Sequence, residues 1–161
     1  MYDPNKAHYI IATCILVKDG KFLITKRAST EKTFPDVWTV PGGKLEVSDY
    51  KDKPMDTSIH WYNIFEDLCK REVKEEVGLK LNSSKYLTSM VFMRKGKVPT
   101  LIASLYSEDF EGEIKLSEEM SEYAWVTLEE AKDYDLIEGI YEELEMLDKV
   151  LKGENPKEWR K

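Results

Sequence analysis

Three glutamates within five residues, in the stretch Arg71-Glu72-Val73-Lys74-Glu75-Glu76-Val77-Gly78-Leu79, are the side chains of this sequence best placed to do chemistry. On a helix, at about 100° per residue, Glu72, Glu75 and Glu76 fall within a wedge of about 100°. Phe65, Cys69, Val73 and Val77, spaced four apart, form an apolar stripe bordering that wedge. The carboxylates therefore sit at the edge of a core. Like charges at i,i+3 and i,i+4 each cost a bare helix a few tenths of a kcal/mol. Gathering three of them makes sense if a divalent cation neutralises the group, and hard oxygen ligands suit Mg²⁺ or Mn²⁺. The competing reading is a solvated acidic face, which the i,i+4 pair Arg71 and Glu75 supports and which wins for most helices rich in Glu and Lys.

The elements that must position these glutamates lie upstream. A short strand, Val37-Trp38-Thr39-Val40, closes on Pro41-Gly42-Gly43-Lys44-Leu45-Glu46. Paired glycines let a backbone bend sharply and come close to a ligand. Together the two stretches resemble the Nudix box, G-x5-E-x7-R-E-U-x-E-E-x-G-U, where U is aliphatic. The second half matches at every specified position: Arg71, Glu72, Val73, Glu75, Glu76, Gly78 and Leu79. The first half, from Gly43, departs twice. Asp49 stands where the first Glu is expected, and 21 residues separate it from Arg71 instead of seven, an excess of 14. Asp49 can still do the orienting work of that Glu, with a side chain one methylene shorter.

The resemblance covers the chain and implies an α/β fold, a Nudix-type α/β/α sandwich with a mixed β-sheet, as a single domain over 1–161 with an insertion at about 47–60. It implies a metal-dependent hydrolase that cleaves the pyrophosphate linkage of a nucleoside diphosphate derivative or a nucleoside triphosphate by water attack. Glu72, Glu75 and Glu76 would hold Mg²⁺ or Mn²⁺, with Glu72 as the base and Arg71 holding Glu75. The Gly42 carbonyl is a further metal candidate. So is Glu119, from the acidic loop before Tyr123-Ala124-Trp125-Val126, with Glu118 and Glu122 as the neighbours to exclude and an exposed acidic loop as the plainer reading. Arg27 and Lys44 are carried over as substrate-binding, with Arg27 equally readable as a surface cation. A homodimer is compatible with the resemblance. The alternative is a catalytically silent Nudix-fold nucleotide-binding or sensor module, which loss of the glutamates would favour; metal-dependent isomerisation on the same fold lacks a clear acid and nucleophile here.

Composition sets the remaining bounds. At 161 residues, with 31 acidic and 24 basic, the chain carries a net charge of −7, which argues against a general nucleic-acid or membrane-surface binder. A nucleotide substrate is still admissible, because a bound metal reverses the local sign. Cys14 and Cys69 read as small core residues rather than a disulfide or zinc set. No secretory leader or membrane-spanning run is evident, so a cytoplasmic location is the expectation.

Along the chain, Tyr9–Lys18 and Lys21–Lys26 read as a hairpin across Asp19-Gly20, the first strand buried on both faces. Ala28–Asp36 is a turn-rich loop, and Trp38 is read first as core packing. Ser48–Pro54 is a surface loop, after which Asp56, Thr57 or Ser58 caps a helix from about Ile59 to Val77, stopped by Gly78. Trp61 and Tyr62 pack its extra turn, and the insertion is expected to flank the substrate pocket. A second hairpin, Lys85–Arg94 with Val98–Ser107, crosses Lys95-Gly96-Lys97. Thr127 and Glu130 form a capping box, and Leu136–Leu151 is a final helix ending at Gly153.

Overall fold

The computed structural model describes residues 3–93, 98–155 and 158. Its first hairpin is the expected one. Strand β1 (Tyr9–Lys18) turns at Asp19-Gly20, both with positive φ (52° and 73°), into β2 (Lys21–Arg27). Two consecutive left-handed residues match the turn to the right-handed twist of the strands. Two short strands follow, β3 (Trp38–Thr39) and β4 (Gly42–Lys44). After helix α1 (Ile64–Val77) come β5 (Lys80–Leu81), β6 (Lys85–Phe92), β7 (Thr100–Ser107), β8 (Phe110–Glu111) and β9 (Met120–Val126), then helix α2 (Ile140–Leu151).

Seven strands make one mixed sheet, ordered β3-β2-β1-β7-β6, with β4 also on β1 and β9 also on β2. Among the described strands β1 and β7 are the parallel pair, over eight residue pairs from Tyr9–Thr100 to Leu16–Ser107. The other edge of β1 is shared. Its C-terminal end pairs with β2 at Val17–Phe22, while Ile11–Thr13 pair with β4. The glycine strand is thereby inserted into the sheet next to β1, facing α1.

Strand alternation sorts the two cores. Ala12, Cys14 and Leu16 of β1, with Leu23, Ala103 and Leu105, pack under Leu68, Cys69, Val73 and Val77 of α1. Ile15 and Val17, with Phe22, Ile24, Tyr106 and Val126, pack under Ile140, Leu144 and Leu147 of α2. The predicted stripe of α1 is thus its buried face, and both cysteines are buried free thiols. Trp38 packs its ring edge-on to Tyr134, 4.8 Å between centroids, in the α2-side core, as expected. No helix among the described residues is long and apolar enough to cross a membrane.

Two helix starts differ from expectation. Helix α1 begins at Ile64 rather than Ile59. Asp56, Thr57 and His60 close a turn of their own: the Asp56 N–H donates to the His60 carbonyl (2.9 Å), and Thr57 Oγ1 accepts the His60 N–H (3.1 Å). Asp56 then accepts the Tyr62 N–H (2.9 Å). The residues expected to cap the helix satisfy this local turn instead, the usual competition between short polar side chains and helix. Asn63, left-handed at φ 56°, separates the turn from the helix. Similarly, α2 starts at Ile140 rather than Leu136, because the main chain around Leu136 bridges to Trp38 (Trp38 N–H to Asp135 carbonyl 2.9 Å, Ile137 N–H to Trp38 carbonyl 2.8 Å) and Gly139 turns left-handed.

The capping box is present, with reciprocal Thr127–Glu130 bonds of 2.8 and 3.2 Å, and opens a 3₁₀ turn (Glu130–Asp133). Gly78 stops α1 at φ 74°, its N–H on the Lys74 carbonyl (3.1 Å). Strands β6 and β7 pair antiparallel as expected; the turn Lys95-Gly96-Lys97 lies outside the described residues.

Candidate active site

The site forms where β4 passes under α1. The Gly42 N–H donates to Glu76 Oε2 (3.2 Å). A Cβ on Gly43 would stand 2.0 Å from Glu72 Oε1, so the Glu72 carboxylate occupies the space that only glycine leaves. A Cβ on Gly42 would meet the Ala12 carbonyl oxygen at 2.6 Å and the Thr13 Cα at 2.8 Å. Each glycine therefore permits a different close approach: Gly42 that of strand to strand, Gly43 that of strand to carboxylate.

Glu72 and Glu76 are buried, at 7% and 3% exposure. Burial pushes Glu72 up to about 7, with Glu75 and Glu119 adding to the rise and Arg71 opposing it. Burial also raises Glu76 well above the usual carboxylate range. The charges of Glu72 and Glu119 add to that rise, while the Gly42 N–H and the charge of Arg27 pull it down. Two carboxyl groups held out of water beside further carboxylates make a locus short of positive charge.

Arg71 joins the parts. Its Nε and Nη2 form a fork on the Oδ1 and Oδ2 atoms of Asp49, the second bond at 3.2 Å. Nη1 reaches Glu72 Oε1 (2.8 Å) and Glu75 Oε2 (2.9 Å), and Nη2 also donates to the Lys44 carbonyl (3.0 Å). Asp49 thus meets Arg71 despite the long spacer and shorter side chain, from the last position of a 3₁₀ turn (Val47–Asp49). Within that turn Asp49 also accepts the Glu46 N–H (2.7 Å).

Not every anticipated residue converges. Glu75 is exposed and turned to Arg71, and no group of three His, Cys, Asp or Glu side chains among the described residues stands in metal-holding geometry. Glu119 is exposed, yet it is the acidic-loop residue whose charge acts on both Glu72 and Glu76. Glu122 is engaged elsewhere, paired with Lys26 across β2 and β9 (2.8 Å). Arg27 is held by its own loop, donating to the Thr33 carbonyl (2.8 Å) and to Glu31 (2.7 Å). Lys44 lies over the Tyr9 ring, 5.2 Å from its centroid.

One buried carboxyl escaped the sequence reading. Glu143 on α2 is 6% exposed and accepts a bond from Ser104 Oγ on β7 (2.7 Å), on the sheet face away from α1. The signal was available: Glu143 falls three after Ile140 and four before Leu147, inside the apolar stripe.

Comparison with known proteins agrees with this arrangement. Nucleoside triphosphatase NudI of Escherichia coli K12 is 27% identical over 135 residues, covering 76% of this chain and 85% of that protein. The crystal structure of a MutT protein from Methanosarcina mazei Go1 superposes with a TM-score of 0.69 at 25% identity, over 91% of this chain and 97% of that one. The NUDIX domain of Shewanella oneidensis NrtR, crystallised with ADP ribose, shares the fold at 16% identity (TM-score 0.69, 93% and 94% covered). Because the NUDIX domain model also matches residues 8–147, through both halves of the box and the strands and helices that frame it, this chain belongs to the NUDIX family and is a hydrolase of that family.

Proposed function

We propose that the protein hydrolyses the phosphoric anhydride of a nucleoside triphosphate or a nucleoside diphosphate derivative with Mg²⁺ or Mn²⁺ as cofactor. The observation that carries this reading is the pair Glu72 and Glu76, buried against the glycine strand with raised pKa values. Buried carboxylates that repel one another fit a hard divalent cation, whose charge offsets both burial and repulsion. Glu72, Glu76 and the Gly42 carbonyl, with Glu75 and Glu119 from the rim, would hold it. When bound, such a cation neutralises the diphosphate oxygens and acidifies a water molecule.

The chain supplies the rest. Water attacks phosphorus, the anhydride P–O bond breaks, and the leaving phosphate takes the bonding pair. Glu72 accepts the water's proton, as a carboxylate fixed by Arg71 beside the glycine strand. Arg71 fixes the directions of Glu72 and Glu75 rather than touching substrate, since its donors are already committed to four protein partners. Arg27 and Lys44 are the cations we assign to the substrate's phosphates. The resemblance to a nucleoside triphosphatase favours a triphosphate over a diphosphate sugar.

A panel of nucleoside triphosphates and diphosphate derivatives, assayed for phosphate or pyrophosphate release with Mg²⁺, tests the reading. Release from at least one triphosphate is expected. Tight nucleotide binding with no release from any member of the panel would favour the silent sensor module instead.

A further inference from the structure

The insertion between Asp49 and Arg71 is built rather than loose. Tyr50, directly after Asp49, packs on Trp61 with ring centroids 5.2 Å apart. Trp61 Nε1 donates to the Lys53 carbonyl (3.0 Å), and Lys53 Nζ reaches Asp67 in the first turn of α1 (3.2 Å). The Asp56–His60 turn closes the tip. The segment is therefore a lobe whose two ends, Tyr50 and Trp61, are fastened together and whose flank is clasped to the helix.

Its position rules out the role of lining the reacting phosphates. The lobe and α1 flank a cleft of about 570 Å³, lined on the helix side by Ile64, Glu66, Asp67 and Lys70. At about 100° per residue those four centre about 175° around the helix from the midpoint of Glu72 and Glu76. The lobe works from the back of the helix.

What it can reach is Asp49. A carboxylate one methylene shorter than glutamate has less slack, so its grip on Arg71 depends on where the backbone stands. That backbone is fixed by the 3₁₀ turn on one side and by the Tyr50–Trp61 contact on the other. Arg71 in turn holds Glu72, Glu75 and the Lys44 carbonyl. We infer that Trp61 is a positioning residue for the active site: through Tyr50 it keeps Asp49 forked on Arg71, and so keeps Glu72 and Glu75 in register with the glycine strand. The catalytic part of this inference rests on the proposed hydrolysis; the structural part does not.

The test uses the full chain with Trp61→Ala, Trp61→Phe, Asp49→Asn and the double variant Asp49→Asn/Trp61→Ala. The first readout is the Arg71 Nε–H resonance, identified by its loss in Arg71→Lys and slow to exchange with water while Asp49 accepts from it. The second is kcat and KM for a triphosphate with Mg²⁺. Trp61→Ala is expected to lose the protected resonance and to lower kcat by roughly 10- to 100-fold with KM nearly unchanged, the cost of about 1 Å of misplacement. Trp61→Phe should retain both. Asp49→Asn should add little to Trp61→Ala, because the two act on one link. An unaltered resonance and kcat in Trp61→Ala would overturn the inference, as would full additivity with Asp49→Asn, or a changed ranking of nucleotides at unchanged kcat. Should Trp61→Ala fail to fold, Tyr50→Leu removes the other ring and is read in the same way. If the wild type shows no turnover, the hydrolase reading fails while the Arg71 resonance still decides the positioning.

Discussion

Replacing Gly43 by alanine is the smallest change that disturbs the proposed chemistry while leaving the fold alone. The added Cβ would lie 2.0 Å from Glu72 Oε1, 2.3 Å from its Cδ and 2.6 Å from Oε2. Non-bonded heavy atoms settle at about 3.5 Å, so the carboxylate must withdraw by roughly 1 Å or more. A shift of that size at a reacting group costs on the order of a hundredfold in rate. It also pulls Glu72 Oε1 off Arg71 Nη1, now 2.8 Å away. The backbone itself raises no objection, because Gly43 is not among the residues of positive φ. Only a side chain must move, and alanine restricts the unfolded chain, which stabilises by about 0.4–1 kcal/mol. Gly43→Ala should therefore melt within a few degrees of wild type and lose about 99% of Mg²⁺-dependent phosphate or pyrophosphate release. Gly42→Ala is the contrast. Its Cβ meets backbone atoms of Ala12 and Thr13, which cannot yield without parting β4 from β1, and it should destabilise by about 1–3 kcal/mol. Turnover of Gly43→Ala within a few-fold of wild type, or its loss only through unfolding, would refute the reasoning.

Two further predictions separate roles by residue. If Glu119 completes the metal site, Glu119→Gln should lower turnover well beyond Glu118→Gln and Glu122→Gln, and equal small effects in steady-state assays would return the loop to a solvated acidic face. Burial pushes Glu143 up to about 7 from an ordinary 4.5, the charge of Glu142 adding to the rise and the Ser104 hydrogen bond opposing it. The folded chain then keeps a proton that the unfolded chain releases, so this group makes stability fall as pH rises from about 4.5 to 7, levelling off above. Glu143→Gln, which retains the shape and can still bond Ser104, should gain up to about 3 kcal/mol over wild type at pH 8 and little at pH 4 in denaturant titrations; an equal gain at both pH values would contradict this origin.

The parts of the fold legible in the sequence were those where one local signal dominates. The β1–β2 hairpin followed from Asp19-Gly20, the end of α1 from Gly78, and the buried face of α1 from a four-residue apolar spacing. The start of α1 differs from expectation because Asp56, Thr57 and Ser58 are good caps in the abstract, and only the structure shows Asp56 and Thr57 spent on a turn with His60. Leu136 and Ile137 fit the spacing of α2 but are drawn to Trp38, a partner distant in sequence. The residue types of the site are legible in the sequence, including Asp49 in the place of the first Glu and Arg71 holding Glu75; that Asp49 does its work by a fork on Arg71 is seen only in the structure. The exposure of Glu75 is not legible in the sequence, since spacing puts all three glutamates in one wedge and leaves open which of its edges the sheet covers. The insertion reads from composition as a surface loop and an extra helical turn flanking the substrate pocket. Its aromatic closure, Tyr50 on Trp61 across 11 positions of sequence, has no periodic signature.

The central claim is that buried carboxylates on α1 bind a divalent cation that hydrolysis requires, and Glu76→Gln tests it most directly. Glu76 is 3% exposed, and glutamine matches its size while removing the charge that burial and Glu72 already disfavour. The measurement is triphosphate turnover as Mg²⁺ is titrated into chelator-treated protein, wild type beside Glu76→Gln, with melting temperature followed in the same samples. Wild type should be inactive without metal, recover with Mg²⁺ and melt higher as it binds. Glu76→Gln should start more stable without metal, gain less from Mg²⁺ and remain nearly inactive at concentrations that saturate the wild type. Turnover in wild type that ignores chelation, or a Glu76→Gln variant that recovers to within a few-fold, would contradict the account.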